Sequence, residues 1–230
     1  MPPPVIAIDG PAGSGKSTAA RHLAEALRFT YLNTGAMYRA VAFVALESGI
    51  DLNDAERIAE AARDLRFRYE LKDGQQRFIV HGEDRTRELF TAALTVQLKP
   101  VVNNPGVREA LVQKMREAVR KVLTEGVPGV VMEGRDIGTV VFPDAALKLY
   151  IHADLEERTR RRAAELEARG EKVDVEGLRK QIEYRDETDK GRTVGPLAKA
   201  ADAIDVDTTH FDESATLERL LQEAKARGLC

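Results

Sequence analysis

The chain has 230 residues, 43% hydrophobic and 32% charged, with a formal net charge of -3. That suffices for one α/β domain with an insertion and a real core, and it gives no electrostatic basis for a nucleic-acid polymer as partner. The single cysteine, Cys230, excludes an intramolecular disulfide, and no apolar run approaches the roughly 20 residues of a membrane span. Met1-Pro2-Pro3-Pro4 lacks the charge and apolar length of a secretory leader, so a cytoplasmic chain with no membrane partner is expected. His22, His81, His152 and His210 are isolated, and none has zinc-ligand spacing.

Val5-Ile6-Ala7-Ile8-Asp9 reads as a short buried strand, and Thr18 to Leu27 as a helix. Between them, Gly10-Pro11-Ala12-Gly13-Ser14-Gly15-Lys16-Ser17 fits G-x-x-x-x-G-K-[ST]. Glycines allow a tight turn with its N–H groups against a phosphate chain, and the helix start adds free donors. Lys16 offers a mobile charge to the outer phosphates, and Ser17 a hydroxyl to Mg²⁺. A Gly-rich turn that merely matches would not need these flanks.

Phe29 to Leu32 is the second expected strand, and Thr34 to Ala45 a helix closed by Gly49. Asp51 to Leu65 reads as helix, with Asn53 or Asp54 as its N-cap. Phe67 to Leu71 and Arg77 to His81 alternate about the Asp73-Gly74 turn signal, which predicts a β-hairpin. A hairpin inside a βαβ series does not belong to a parallel sheet, so residues 60–104 are expected to form an inserted subdomain. Pro105 opens a long helix to Leu123 or Thr124. Val130 to Met132, Leu147 to Ile151 and Ala203 to Val206 read as strands. Asp154 to Ala168, Asp174 to Arg185 and Asp212 to Ala226 read as helices. Five short strands alternating with helices predict a parallel sheet with helices on both faces.

Ligands of such sheets bind beyond the strand carboxyl ends. Thr34 and Arg39 follow the second strand. They make an anion pocket, or else Thr34 caps a helix and Arg39 is solvated. Glu133-Gly134-Arg135-Asp136 ends the Val130 strand, where three charges need partners. Glu133 stands where an acid would hold Mg²⁺ through water; a structural ion-pair cluster is the alternative. Arg158, Arg161 and Arg162 share a helical face, and Arg185 and Asp189 lie one turn apart. Such runs describe either a solvated helix pair or a mobile lid, residues 154–192, whose arginines stay in water until it closes on triphosphate.

Ile8 to Ser17, Asn33 to Arg39, Val107 to Leu111, Glu133 to Pro143, and Arg185-Asp186 through Asp189 to Arg192 together resemble bacterial cytidylate kinases, in the nucleoside monophosphate kinase family. The resemblance covers nearly the whole chain, and Glu133 to Pro143 is its most specific stretch. It implies the α/β fold of P-loop nucleoside monophosphate kinases. Residues 1–59, 105–153 and 193–230 would form the core, 60–104 the monophosphate-binding subdomain and 154–192 the lid. It implies transfer of phosphate from ATP to CMP or dCMP with Mg²⁺, the alternative being UMP or AMP as acceptor on the same fold, and a monomer. ATP would lie against Gly10, Pro11, Ala12, Gly13, Ser14, Gly15, Lys16, Ser17 and Thr18, with Lys16, Arg158, Arg162 and Arg185 at the transferred group. Thr34 stands where the family often has serine. Arg39, Arg135 and Arg185 would hold the acceptor phosphate, Asp189 and Arg192 the ribose and phosphate, and Arg108 and Asp136 the cytosine. The family's base-contacting serine is replaced by Lys99, with Thr95 and Asn103 as nearby candidates. A nucleotide-dependent switch would need an N-K-x-D motif, which is absent.

Overall fold

The computed structural model describes residues 4–72, 75–168 and 170–230. Two compact units emerge: one up to Tyr31 and from Glu125 onward, the other Leu32–Thr124. The chain begins with β1 (Val5–Asp9) and α1 (Lys16–Leu27) in the first unit, and β2 (Thr30–Asn33) carries it across the Tyr31–Leu32 boundary. Every residue of β1 is buried, as its unbroken apolar pattern predicts.

In the second unit β2 passes into α2 (Thr34–Glu47), capped by the Asn33 side chain, which accepts from the Ala36 N–H. Helix α3 (Ala55–Asp64) is capped by Asp54, one of the two expected caps. Strands β3 (Phe67–Lys72) and β4 (Gln75–Val80) pair antiparallel from Phe67 opposite Val80 to Lys72 opposite Gln75. The expected hairpin is thus present; its Asp73-Gly74 turn lies outside the described residues. A two-residue strand, β5 (Glu83–Asp84), adds to β4. Short helices α4 (Thr86–Leu89), α5 (Ala92–Val96) and α6 (Lys99–Asn103) lead to the long α7 (Pro105–Thr124). The sequence carries no periodicity long enough to announce α4, α5 or α6.

The first unit resumes with β6 (Val130–Gly134), a π-helical turn over Ile137–Val141 and β7 (Leu147–His152). Then come α8 (Leu155–Glu167), α9 (Val175–Lys190), β8 (Ile204–Asp207) and α10 (Glu213–Ala226). Helix α9 runs past the expected end at Arg185, because no breaker intervenes before Gly191. Asp186 and Asp189 are therefore helical residues, one turn apart.

The five parallel strands lie in the order β2-β6-β1-β7-β8. Strand β1 is flanked by β6, with Val5 beside Val130, and by β7, with Ile6 beside Leu147. The crossover from β1 leads to β2 on one side and that from β7 leads to β8 on the other, and such a reversal opens the crevice where these sheets bind ligands. One face of the sheet packs Ile6, Ile8, Leu149 and Ile151 on Leu23 of α1 and Leu220 of α10. Among the described residues no helix is long and apolar enough to cross a membrane.

Candidate active site

The loop from Gly10 to Ser17 leaves β1 at the crevice. Gly10 passes so near β7 that an added Cβ would lie 1.9 Å from the Ile151 carbonyl oxygen. Gly15, at the helix start, has a φ of 81°. Both positions therefore require glycine. Lys16 folds back, donating from Nζ to the Pro11 carbonyl at 2.5 Å, and is 5% exposed. Burial drives its pKa well below that of a free lysine, and the positive charge of Arg135 adds to the effect; Glu133 opposes them, and Arg185 lowers it further. A desolvated ammonium in the field of two arginines is unfavourable until an anion joins it.

At the end of β6, Glu133 is buried and accepts from Ser17 Oγ at 2.7 Å and from Tyr31 Oη at 3.1 Å, both at Oε1. A carboxylate and a hydroxyl beside a phosphate loop suit Mg²⁺, which takes few protein oxygens and completes its shell with water and phosphate. Asp9, at the end of β1, accepts from the Ile137 and Gly138 N–H groups at 2.8 and 2.7 Å. Burial raises its pKa to about 6; the two N–H groups pull it down, and Asp136 pushes it up. Asp136 itself is buried, at the start of the π-helical turn. Neither Asp9 nor Tyr31 was expected at the site. Asp9 immediately precedes the Gly10 motif, which was a usable signal; Tyr31 offered none.

Helices α8 and α9 correct one expectation. Arg158 does not stand in water: it is 7% exposed and donates to Ala153 O, Ala12 O and Asp186 Oδ2 at 3.0, 3.0 and 2.5 Å. Two of its acceptors, Ala12 and Asp186, come from segments 146 and 28 residues away, so helical spacing alone could not reveal them. Arg161 reaches Glu157 and Thr208. Arg162 pairs with Glu165 on the helix's outer side. The three arginines of the expected face thus have different surroundings.

Asp189, 2% exposed, receives Arg135 Nε at 2.7 Å and also binds Arg192. Burial alone would raise its pKa, but Arg135 and Arg192 outweigh it and hold the carboxyl below its usual range. Arg185 is exposed on α9 and adds to the positive potential at Lys16 and Asp189. Arg135, Arg185, Asp189 and Arg192 are thus brought together with Lys16 in the first unit.

In the second unit, Thr34 is the first helical residue and is buried, but the cap is Asn33. Arg39 is not solvated: Nη1 donates to Leu89 O at 3.0 Å and Thr95 Oγ1 at 2.8 Å, and its guanidinium lies over the Phe90 ring. Thr95, a candidate base contact, instead serves Arg39 and donates to Thr91 O. Arg108 is buried, over the Tyr38 ring and bonded to Val102 O. Lys99 and Asn103 begin and end α6, both exposed.

Three comparisons bear on this geometry. A family model described as Cytidylate kinase matches residues 6–226. A cytidylate kinase of Caldanaerobacter subterraneus subsp. tengcongensis is 44% identical, over 94% of this chain and 92% of its own. A bifunctional pantoate ligase/cytidylate kinase of Gloeobacter violaceus is 47% identical, over 95% of this chain and 42% of its own. The chain therefore spans about two fifths of the length of the bifunctional relatives it matches. A solved sugar kinase of Janibacter sp. HTCC2649 is similar with a TM-score of 0.51 at 13% identity, over 100% of this chain and 99% of that one; it shows the fold alone.

Proposed function

The chain belongs to the cytidylate kinase family, and from that premise we propose that it transfers the γ-phosphoryl group of ATP to CMP and dCMP, yielding CDP and dCDP. The observation that carries the reading is a buried Lys16 at the phosphate loop in the field of Arg135 and Arg185: burial first, then the two arginines, press the lysine's pKa down. Such a cluster suits a polyanion, not an empty cleft.

The donor triphosphate would lie along the Gly10 to Thr18 backbone, with Lys16 on the outer phosphates. Arg39, Arg135 and Arg185 are assigned to the acceptor phosphate, with Thr34 beside Arg39. Asp189 and Arg192 are assigned to the ribose and phosphate, and Arg108 and Asp136 to the base. A carboxylate there accepts from the exocyclic amine of cytosine and repels O4 of uracil. Residues 60–104 would form the monophosphate-binding subdomain and 154–192 the lid, on a core of 1–59, 105–153 and 193–230.

The chemistry is an in-line displacement. An acceptor phosphate oxygen, already ionised, bonds to the γ-phosphorus while the bond to the ADP oxygen breaks, so no general base is needed. Lys16 neutralises charge moving toward ADP, Arg185 is assigned with it to the transferred group, and Arg158 and Arg162 would reach that group only when the 154–192 lid closes, which would also keep water from taking the phosphoryl group. Mg²⁺, held by Ser17 and through water by Glu133, would supply further charge neutralisation on the outer phosphates. The protein would act as a cytoplasmic monomer, with neither nucleic-acid polymer nor membrane as partner.

The test is a coupled ADP-release assay with ATP, Mg²⁺ and, in separate reactions, CMP, dCMP, UMP and AMP. CMP and dCMP are expected to give the highest kcat/KM. A preference for UMP or AMP, or ADP release without an acceptor at an equal rate, overturns the proposal.

A further inference from the structure

The Ala12 peptide, inside the phosphate loop, is gripped on both sides by side chains. Its N–H donates to Asp186 Oδ1 at 3.2 Å, and its carbonyl accepts from Arg158 Nη1 at 3.0 Å. Asp186 Oδ2 closes the ring by accepting from the same Nη1 at 2.5 Å. Both residues are 7% exposed. They come from different helices, α8 and α9, so both arms of the helix pair are anchored at one loop residue.

The anchoring continues around the loop. Gly13, the next residue, lies so close that an added Cβ would sit 3.3 Å from the Arg158 carbonyl oxygen. Asp186 thus sets a carboxylate directly on the loop's main chain. A carboxylate on a phosphate-loop N–H is not neutral to function: it fixes which way the Ala12 peptide points, and thereby where the next donors aim. It also neutralises Arg158, which otherwise would be a buried charge without a counterion. The pair borders a cavity of about 360 Å³, lined also by Pro11, Tyr150 and His152.

The geometry points to Asp186 as a positioning residue: through the Ala12 peptide and Arg158 it holds the donor-phosphate loop in register with the α8–α9 pair. This rests on the reading of the loop as the ATP site and adds a residue to which no role had been assigned.

The test measures ATP binding, CMP binding and amide exchange at Ala12 in the unaltered protein, in Asp186→Asn and in Asp186→Ala. In the unaltered protein the Ala12 amide exchanges slowly without nucleotide; fast exchange there overturns the proposal whatever the variants do. Asp186→Asn keeps an acceptor for the Ala12 N–H but loses the negative charge that faces Arg158, so its ATP Kd rises roughly tenfold while its CMP Kd stays within about twofold. Asp186→Ala shows the larger ATP effect and faster Ala12 exchange. An unchanged ATP Kd in Asp186→Asn overturns the proposal, as does an equal weakening of both nucleotides, which would mean general loosening. None of these readouts needs turnover: if the protein fails to phosphorylate CMP, the functional proposal falls and this one is still decided by ATP binding.

Discussion

The Ser17 hydroxyl donates to Glu133 Oε1 at 2.7 Å, joining two segments 116 residues apart. The bond places a neutral oxygen and a carboxylate oxygen side by side at the foot of the phosphate loop. Glu133→Gln keeps the shape and an acceptor but removes the charge that would attract the cation. The Mg²⁺ concentration for half-maximal rate is expected to rise roughly tenfold or more, as measured by titration at fixed ATP. An unchanged Mg²⁺ curve would detach Glu133 from the metal.

Lys16 combines catalytic need with structural cost, because burial and Arg135 disfavour its charge before any phosphate arrives. Lys16→Met is therefore expected to lower kcat by roughly two to three orders of magnitude. In the same variant the nucleotide-free melting temperature should rise by about 2–4 °C, the size of a 1 kcal/mol gain in a chain of this length. Scanning calorimetry and the coupled assay read the two effects separately; a fall in both quantities contradicts the argument.

Asp136→Asn exchanges an acceptor-only group for an amide that can also donate to O4 of uracil. The ratio of kcat/KM for CMP to that for UMP should shrink by roughly tenfold. A constant ratio would show that Asp136 does not read the base.

Asp9 makes stability depend on pH in an unusual direction for a carboxylate. Its pKa rises from 3.8 to about 6 on folding, chiefly through burial. Below 3.8 both folded and unfolded chains hold the proton. Between there and about 6 only the folded chain holds it, so stability falls as pH rises through that window. The full span corresponds to about 3 kcal/mol at most. Urea midpoints measured from pH 4 to 7 should show this decline, superimposed on other titrations, and Asp9→Asn should flatten it; equal slopes in the two proteins would refute the assignment.

Thr95 accepts from Arg39 Nη1 at 2.8 Å. Thr95→Val preserves shape but removes that acceptor and leaves Arg39 less firmly aimed. The KM for CMP should increase by roughly fivefold with the KM for ATP unchanged, in two-substrate kinetics. Equal changes in both would place Thr95 outside the acceptor side.

Legibility in the sequence followed the range of the interactions. The strand–loop–helix unit from Val5 to Leu27, the antiparallel pairing of Phe67–Lys72 with Gln75–Val80, and the cap Asp54 were readable because each depends on residues within a few positions. The π-helical turn at Ile137–Val141 was not, since it takes its N–H partner from Asp9, 128 residues away. Arg158 misled for the same reason: on its own helix it looks like one of a row of solvated charges, and only the fold supplies Ala12 and Asp186.

By itself, then, the order of residue types determined the parallel α/β class, the phosphate loop and the kinds of side chain available to anions, because periodicity, glycine conformation and charge are properties of short stretches. Only the tertiary structure decided which of those charges are held in place: Glu133 by Ser17 and Tyr31, Asp189 by Arg135 and Arg192, Arg39 by Thr95, Ala12 by Asp186. Each such pairing selects one partner among many of the same type, and burial enforces the choice by making an unpaired charge or donor too unfavourable to leave.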